Sequence, residues 1–91
     1  MIGPEERLWV AVLVQAILDV RKTASRMKKD PLLWEKRNIR GEILRLKKWF
    51  RSELFEPGSF TFCCDVAGFD FRYVRTQIEQ KYFNQIDQTR G

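Results

Sequence analysis

Apolar residues recur along most of the chain with helical spacing, and no stretch alternates for long enough to predict a strand. Pro4 begins the first predicted helix, which continues to about residue 27 or 28 and has the apolar run Leu8 to Val20 in its middle. Because a helix that is apolar on every side must be covered all round, we expect a second copy of the chain to pack against it. The expected dimer interface consists of apolar residues on this helix: Trp9, Val10, Leu13, Val14 and Ile17.

The second segment, residues 30–55, is predicted as an amphipathic helix. Asp30 is its expected cap and Pro31 its first residue, and the helix is expected to end near Ser52. An isolated glycine inside it, Gly41, indicates either a bend or a close approach. Five apolar residues recur at helical spacing and form the predicted core stripe: Ile39, Ile43, Leu46, Phe50 and Leu54.

The third region, residues 59–86, has the layout of a helix-turn-helix. Ser59 is expected to cap a helix that runs to about Ala67, and Gly68 suits a left-handed turn. Asp70 is then the expected cap of a last helix that ends near Ile86. A helix-turn-helix places its second helix in the DNA major groove, whereas a plain helical hairpin with a glycine corner remains the alternative. The predicted fold is therefore all-α: a single domain over residues 1–91, forming a four-helix orthogonal bundle with a C-terminal helix-turn-helix.

Positive charge is concentrated in the middle of the chain. Between Arg21 and Arg51 there are twelve basic and three acidic residues, whereas the remainder carries five basic and nine acidic ones. Such a patch favours a polyanion, either nucleic acid or an anionic membrane surface. If the motif binds DNA, arginine suits guanine edges, threonine a thymine methyl group or a phosphate, and glutamate a cytosine amino group. The expected base contacts are Arg72, Arg75, Thr76 and Glu79. The expected backbone contacts are Arg40, Arg45, Lys47, Lys48, Arg51 and Tyr73. For Tyr73 packing is the alternative, and it is the favoured role. Trp49 either stacks on a ligand or lies at the edge of the core.

Catalysis and metal binding find little support in the composition. The chain has no histidine, and its five glycines are isolated and form no phosphate-binding loop. The neighbouring Cys63 and Cys64 are expected to be buried and reduced, since two sulfurs alone cannot complete a four-ligand zinc site. We therefore expect no enzyme activity, no cofactor and no metal.

The run Leu8 to Val20 is too short for a bilayer span, so we expect a cytoplasmic protein without a membrane partner.

Two resemblances extend this interpretation. Trp49-Phe50-Arg51-Ser52, then Phe60, Phe62, Cys64, Gly68, Asp70 and Val74-Arg75, resembles a pattern of short, mostly uncharacterised phage and bacterial proteins. Separately, Gly68–Glu79 is similar to the helix-turn-helix of transcriptional regulators and sigma-factor region 4, which implies DNA binding. In the usual motif an apolar residue falls where this chain has Gln77, and here Ile78 comes one position later instead.

We therefore expect a sequence-specific double-stranded DNA-binding protein, a phage or prophage transcriptional regulator that acts as a homodimer in the host cytoplasm. A DNA-packaging recognition component also fits. The alternative is a phage-encoded protein-interaction adaptor, or an inhibitor of a host protein such as the transcription machinery, in which the apolar N-terminal helix docks on the partner.

Overall fold

Helices account for all the regular secondary structure in residues 3–90, which are the part of the chain that the computed structural model describes. This confirms the all-α prediction. The α-helices are α1 (Pro4–Lys29), α2 (Arg37–Arg51), α3 (Phe60–Ala67), α4 (Phe71–Ile78) and α5 (Asn84–Arg90). A 3₁₀ segment (Pro31–Glu35) precedes α2, and a π-helical turn (Glu79–Phe83) joins α4 to α5. Within residues 3–90, no helix combines the length and apolar character needed to cross a bilayer.

The first helix begins and ends through local hydrogen bonds. The Glu6 carboxylate accepts a 2.7 Å hydrogen bond from the backbone N–H of Gly3, and Pro4 occupies the first helical position, where its missing N–H costs nothing. At the other end the Asp30 N–H donates to the Arg26 carbonyl oxygen at 2.9 Å. The helix therefore spans 26 residues, which corresponds to about 39 Å at 1.5 Å per residue.

The second segment departs from the single helix that the sequence predicts. The Asp30 carboxylate accepts a hydrogen bond from the Leu32 N–H, which starts a 3₁₀ segment instead of an α-helix. Lys36 is then extended (φ −78°, ψ 123°), and α2 begins only at Arg37. The guanidinium of Arg40 lies 3.5 Å from the Trp34 and Glu35 carbonyl oxygens, so it partly satisfies acceptors that a continuous helix would have used.

The apolar stripe of α2 is largely as predicted, with one exception. Ile39, Ile43 and Phe50 are buried and Leu46 is partly buried. Leu54, in contrast, is exposed, because the helix ends at Arg51 and the chain becomes extended at Ser52 (φ −65°, ψ 138°). Gly41 has no heavy atom within 4 Å of the place where a Cβ would stand, so it marks no close approach.

The caps predicted for α3 and α4 are present. The Ser59 hydroxyl accepts a hydrogen bond from the Phe62 N–H at 3.2 Å, and the Asp70 carboxylate accepts one from the Arg72 N–H at 2.9 Å. Gly68 ends α3 in the left-handed region (φ 79°, ψ 22°), where a side chain would be strained. These three local signals fix the geometry of the α3–α4 hairpin.

The last predicted helix is continuous in direction but changes its hydrogen-bond pattern. The residues at both ends of the π-helical turn have right-handed helical dihedrals, so α4, the turn and α5 form one rod. Ile78 and Phe83 are both buried although they are five residues apart, a spacing that a regular α-helix would place on different faces. A π-helical turn accommodates one additional residue and so keeps both side chains on the core side.

The core lies between one face of α1 and the inner faces of the other helices. From α1 it receives Leu13, Val20, Ala24 and Met27, which recur at helical spacing. The ring of Phe50 lies 5.2 Å from that of Phe60 and 5.9 Å from that of Phe83, so three helical segments meet at this phenylalanine. The opposite face of α1 is uncovered in this single chain, including its apolar N-terminal half.

Candidate nucleic-acid interface

The α3–α4 hairpin turns at Gly68 through two backbone hydrogen bonds. The Gly68 N–H donates to the Asp65 carbonyl oxygen at 3.1 Å, and the Phe69 N–H donates to the Cys64 carbonyl oxygen at 2.9 Å. This pair of bonds is a Schellman motif, which stops a helix and sends the chain in a new direction. Beyond the turn, the buried apolar residue of α4 is Ile78. It stands one position after Gln77, where the usual motif has its apolar residue. The apolar residue displaced from the usual position therefore still lies in the core.

One face of α4 is held against the C-terminus of α2 by Arg75. Its guanidinium donates to the Phe50 carbonyl oxygen at 2.7 Å, the Ser52 carbonyl oxygen at 2.8 Å and the Glu53 carboxylate at 2.9 Å. The last carbonyls of a helix have no partner within it and carry partial negative charge, so a cation there is favourable. The side chain is only 19% exposed and lies 5.4 Å above the ring of Phe60. The structure thus gives Arg75 a place inside the fold, and its expected contact with a base stays a prediction.

Glu79, the first residue of the π-helical turn after α4, pairs with Arg51 of α2. Both of its carboxylate oxygens accept hydrogen bonds from Arg51, at 2.6 and 2.9 Å, and this pairing raises the pKa of Arg51. Lys47, one turn earlier on α2, pairs with Asp87 at 2.7 Å and is only 13% exposed. Glu79 as a base contact, and Lys47 and Arg51 as backbone contacts, would each have to leave these partners to bind DNA.

The outer face of α4 consists of exposed side chains. Arg72 lies 5.7 Å above the ring of Phe71, and the Thr76 hydroxyl donates to the Arg72 carbonyl oxygen at 2.9 Å. Tyr73, for which packing was the favoured role, is instead 65% exposed. Together with Gln80, which sequence reasoning did not select, these residues recur at helical spacing and form one solvent-facing line. Of the four expected base contacts, the structure therefore leaves Arg72 and Thr76 accessible.

A basic flank of α2 faces the loop before α3. Arg45 and Lys48 are exposed, and the ion pairs found within residues 3–90 do not involve them. Trp49 lies next to them, where its indole N–H donates to the Gly58 carbonyl oxygen at 2.9 Å and its ring packs at the edge of Phe50. A concavity of about 370 Å³ opens between these residues and the loop before α3. Arg40 is partly buried at the start of α2, away from this concavity.

The residues expected at a dimer interface divide between core and surface. Leu13 is 1% exposed and belongs to the core of its own chain, and Trp9 and Ile17 pack against that core. Val10 is half-buried, whereas Val14 is exposed. The solvent-facing apolar surface of α1 is instead formed by Leu8, Ala11, Val14 and Leu18. The sequence did not distinguish these faces because the run is apolar on every side.

Sequence reasoning gave little attention to the second half of α1. Its outer face carries a stripe of basic residues that face solvent: Arg21, Lys22, Arg26 and Lys29. The outer face of this helix thus changes from apolar to basic halfway along its length. The sequence signal for this stripe is the spacing of four and three residues between Lys22, Arg26 and Lys29, which places them on one helix face.

The two cysteines are free and buried, as expected for small core residues. Burial raises the pKa of both thiols, and that of Cys64 reaches about 11. Nucleophilic or metal-binding chemistry needs the thiolate, which is scarce at neutral pH when the pKa is this high. Within residues 3–90, no three His, Cys, Asp or Glu residues lie close enough together to hold a metal ion.

Comparison with known proteins assigns no family to this geometry. No protein-family model matches the chain, and no curated protein or solved structure matches it significantly. Function is therefore inferred from the exposed face of α4 and from the charges around it.

Proposed function

We propose that this protein binds double-stranded DNA in a sequence-specific manner, with the exposed face of α4 in the major groove. In this proposal α3, the left-handed Gly68 turn and the capped α4 act as a helix-turn-helix within an orthogonal helical bundle. The similarity of this segment to the motif of transcriptional regulators supports the same role. A phage or prophage regulator in the host cytoplasm is the cellular role that we propose.

The observation that carries this proposal is the division of α4 into a fixed face and a free face. Arg75 and Glu79 bind α2, which fixes the orientation of α4, and Arg72 and Thr76 then face solvent. Side chains held on a rigid helix suit base recognition, because the hydrogen-bonding pattern of a base edge tolerates little displacement. Arginine binds the O6 and N7 atoms of guanine, and threonine contacts the thymine methyl group.

Phosphate contacts are assigned to the basic flank of α2. Arg51, on the same helix, pairs with Glu79 at the end of α4, which supports placing α2 and α4 on one DNA-facing side. Arg45 and Lys48 are exposed there without a carboxylate partner in the described part of the chain, so they are free to neutralise phosphates. The Tyr73 hydroxyl, exposed on α4, is proposed as a further hydrogen-bond donor to the backbone.

We also propose that the active species is a homodimer. The exposed apolar residues of α1, namely Leu8, Ala11, Val14 and Leu18, form a surface that a second copy would cover. A dimer would present two copies of α4 to two half-sites of an operator. Sedimentation equilibrium of the wild type and of a Val14→Glu variant tests this, and a wild type that is monomeric at micromolar concentration would remove the dimer.

A mobility-shift titration on random duplex at two salt concentrations, followed by selection of bound sequences, tests DNA binding. We expect affinity to fall steeply with salt. Arg72→Ala should relax the preference at one base position, whereas Lys48→Ala should weaken all sequences alike. Leu44→Ser, an exposed residue of α2, is the matched control that should change neither quantity. Salt-independent or undetectable binding would contradict the proposal.

A second candidate function is supported by the same apolar surface of α1. Exposed leucine and valine side chains on an uncovered helix are typical of docking on another protein, for which a component of the host transcription machinery is the proposed partner. In this case Val14→Glu should abolish capture of that partner while Arg72→Ala leaves it unchanged. The two functions are distinguished because only the first requires Arg72.

A further inference from the structure

The segment from Glu53 to Phe71 differs in chemistry from the rest of the chain. It contains no lysine or arginine, four carboxylates and five phenylalanines, in a protein whose net charge is +5. Part of this segment builds the core, since Phe60 is fully buried. Phe62 and Phe71 are half-buried, whereas Phe55 and Phe69 are exposed, and neither the DNA proposal nor the dimer proposal uses these two exposed rings.

We call four side chains of this segment the aromatic strip: Phe55, Phe62, Val66 and Phe69. Phe55 and Phe69 are exposed, whereas Phe62 and Val66 are half-buried, and the Phe62 ring also packs edge-on against Trp9 at 5.7 Å. The rings of Phe55 and Phe62 lie 5.5 Å apart, so the loop before α3 continues the outer face of that helix. Val66 comes one helical turn after Phe62, and Phe69 lies just beyond the Gly68 turn. Phe55 is 63% exposed and Phe69 is 58% exposed.

The two exposed phenylalanines of the strip, Phe55 and Phe69, contribute little to the stability of this chain. Each leaves most of its apolar surface in water, where burial would be favourable by about 25 cal/mol per Å². Single exposed apolar residues are ordinary, but a line of them is typical of a contact surface. Aromatic residues are also the side chains most enriched at the energetic centres of protein interfaces.

Carboxylates border the strip and determine what can cover it. Three exposed carboxylates adjoin its residues along the chain, since Glu56 follows Phe55, Asp65 precedes Val66 and Asp70 follows Phe69, and the exposed Arg72 comes two residues later. Duplex DNA and anionic membranes would be repelled by this border. A second copy binding through the same face would oppose carboxylates to carboxylates, which is also unfavourable. The occupant must therefore bring positive charge together with apolar anchors.

We propose that the aromatic strip is a docking site for a basic amphipathic segment of a partner protein, whose apolar side chains cover Phe55, Phe62 and Phe69. Lysines or arginines of that segment pair with the carboxylates of the border, which sets the orientation of the bound segment. This site uses neither Thr76 nor Lys48, although it adjoins the DNA-binding surface at Arg72 and at Glu56, which borders the concavity beside Lys48. It also differs from the apolar surface of α1.

The test uses fluorescence anisotropy of a labelled amphipathic peptide of leucine and lysine, with a leucine and glutamate peptide of the same pattern as its control. We expect the lysine peptide to bind and the glutamate peptide not to bind. Phe69→Ser should weaken binding by roughly tenfold, as loss of an interface anchor does. Asp65→Lys should weaken it by a similar factor and reduce its salt dependence. Leu44→Ser, which removes an equally exposed apolar residue from α2, should have no effect.

Chemical denaturation of each variant accompanies the titration. Phe69 and Asp65 are both exposed, so their variants are expected to unfold at the denaturant concentration of the wild type. If Phe69→Ser proves destabilised, Asp65→Lys carries the test. Binding that neither variant changes, or equal binding of the glutamate peptide, would overturn the proposal. It would also be overturned by self-association that Phe69→Ser abolishes, since the occupant would then be a second copy of this chain.

Discussion

Arg75 of α4 donates a 2.7 Å hydrogen bond through Nε to the carbonyl oxygen of Phe50, the second-last residue of α2. A second bond from the same guanidinium, to Ser52, satisfies another carbonyl at the end of that helix. One side chain thereby links the end of α2 to the helix proposed to read DNA.

We expect Arg75→Ala to lower the free energy of unfolding by about 2 kcal/mol, because it removes charge-assisted bonds to partly buried carbonyls. Arg72→Ala, at an exposed position of the same helix, should change it by less than about 0.5 kcal/mol. Urea denaturation followed by circular dichroism measures both. Equal effects of the two substitutions would show that Arg75 is not a structural residue.

Gly41 and Gly68 should respond oppositely to substitution by alanine. Gly68 has φ 79° and open space around its Cα, so Gly68→Ala should cost about 1–2 kcal/mol through backbone strain alone. Gly41 lies inside α2 with nothing within 4 Å, so Gly41→Ala should stabilise by about 0.5–1 kcal/mol. Thermal denaturation of both variants checks the signs, and destabilisation by Gly41→Ala would indicate a contact with another molecule.

Stability should fall in the alkaline range because of Cys64. Its pKa is raised from 9.0 to about 11 in the folded chain, so the folded state holds this proton more tightly than the unfolded state. The resulting stabilisation is complete below pH 9 and is lost as the pH rises through about 11; it amounts to about 2–3 kcal/mol. Urea midpoints at pH 8 and pH 11 should differ more for the wild type than for Cys64→Ala. A Cys64→Ala variant with the same decrease would assign the effect to other groups.

Two neighbouring lysines of α2 should have different effects on DNA binding. Lys48 is exposed, so Lys48→Ala should reduce the slope of log K against log salt by about 1. Lys47 is bound to Asp87, so Lys47→Ala should lower the free energy of unfolding by about 1 kcal/mol and leave that slope unchanged. Fluorescence anisotropy across a salt series, together with urea denaturation, separates the two outcomes. A reduced slope in Lys47→Ala would mean that this pair opens on DNA.

The features that sequence reasoning predicted correctly are those determined within a few residues. The caps at Ser59 and Asp70 and the turn at Gly68 each depend on hydrogen bonds that span no more than five residues, so residue type and position sufficed. Helix existence could be predicted from apolar periodicity for the same reason. The 3₁₀ segment after Asp30 was missed because a proline-started helix and a proline-started 3₁₀ turn have the same sequence signal.

The inner and outer faces of α4 could not be predicted because they depend on distant partners. Arg75 is 25 residues from Phe50 and Glu79 is 28 residues from Arg51, and nothing in a single sequence indicates these pairs. An arginine that satisfies helix-end carbonyls and one that faces solvent have the same local pattern. The solvent-facing side of α1 could not be predicted for a related reason. Its N-terminal half is apolar on every side, and such a pattern does not indicate which side packs against the core.

The π-helical turn between α4 and α5 has a consequence for changes in chain length. It holds one residue more than a regular turn, so deletion of Gln80 should convert it to ordinary α-helix without rotating α5. Phe83 and Ile86 would keep their places in the core, and Asp87 would still reach Lys47. A deletion in the middle of α2 would instead rotate the rest of that helix by about 100° and disrupt the core. A variant of this chain that is shorter by one residue is therefore expected to tolerate the deletion at this turn and not in the middle of α2.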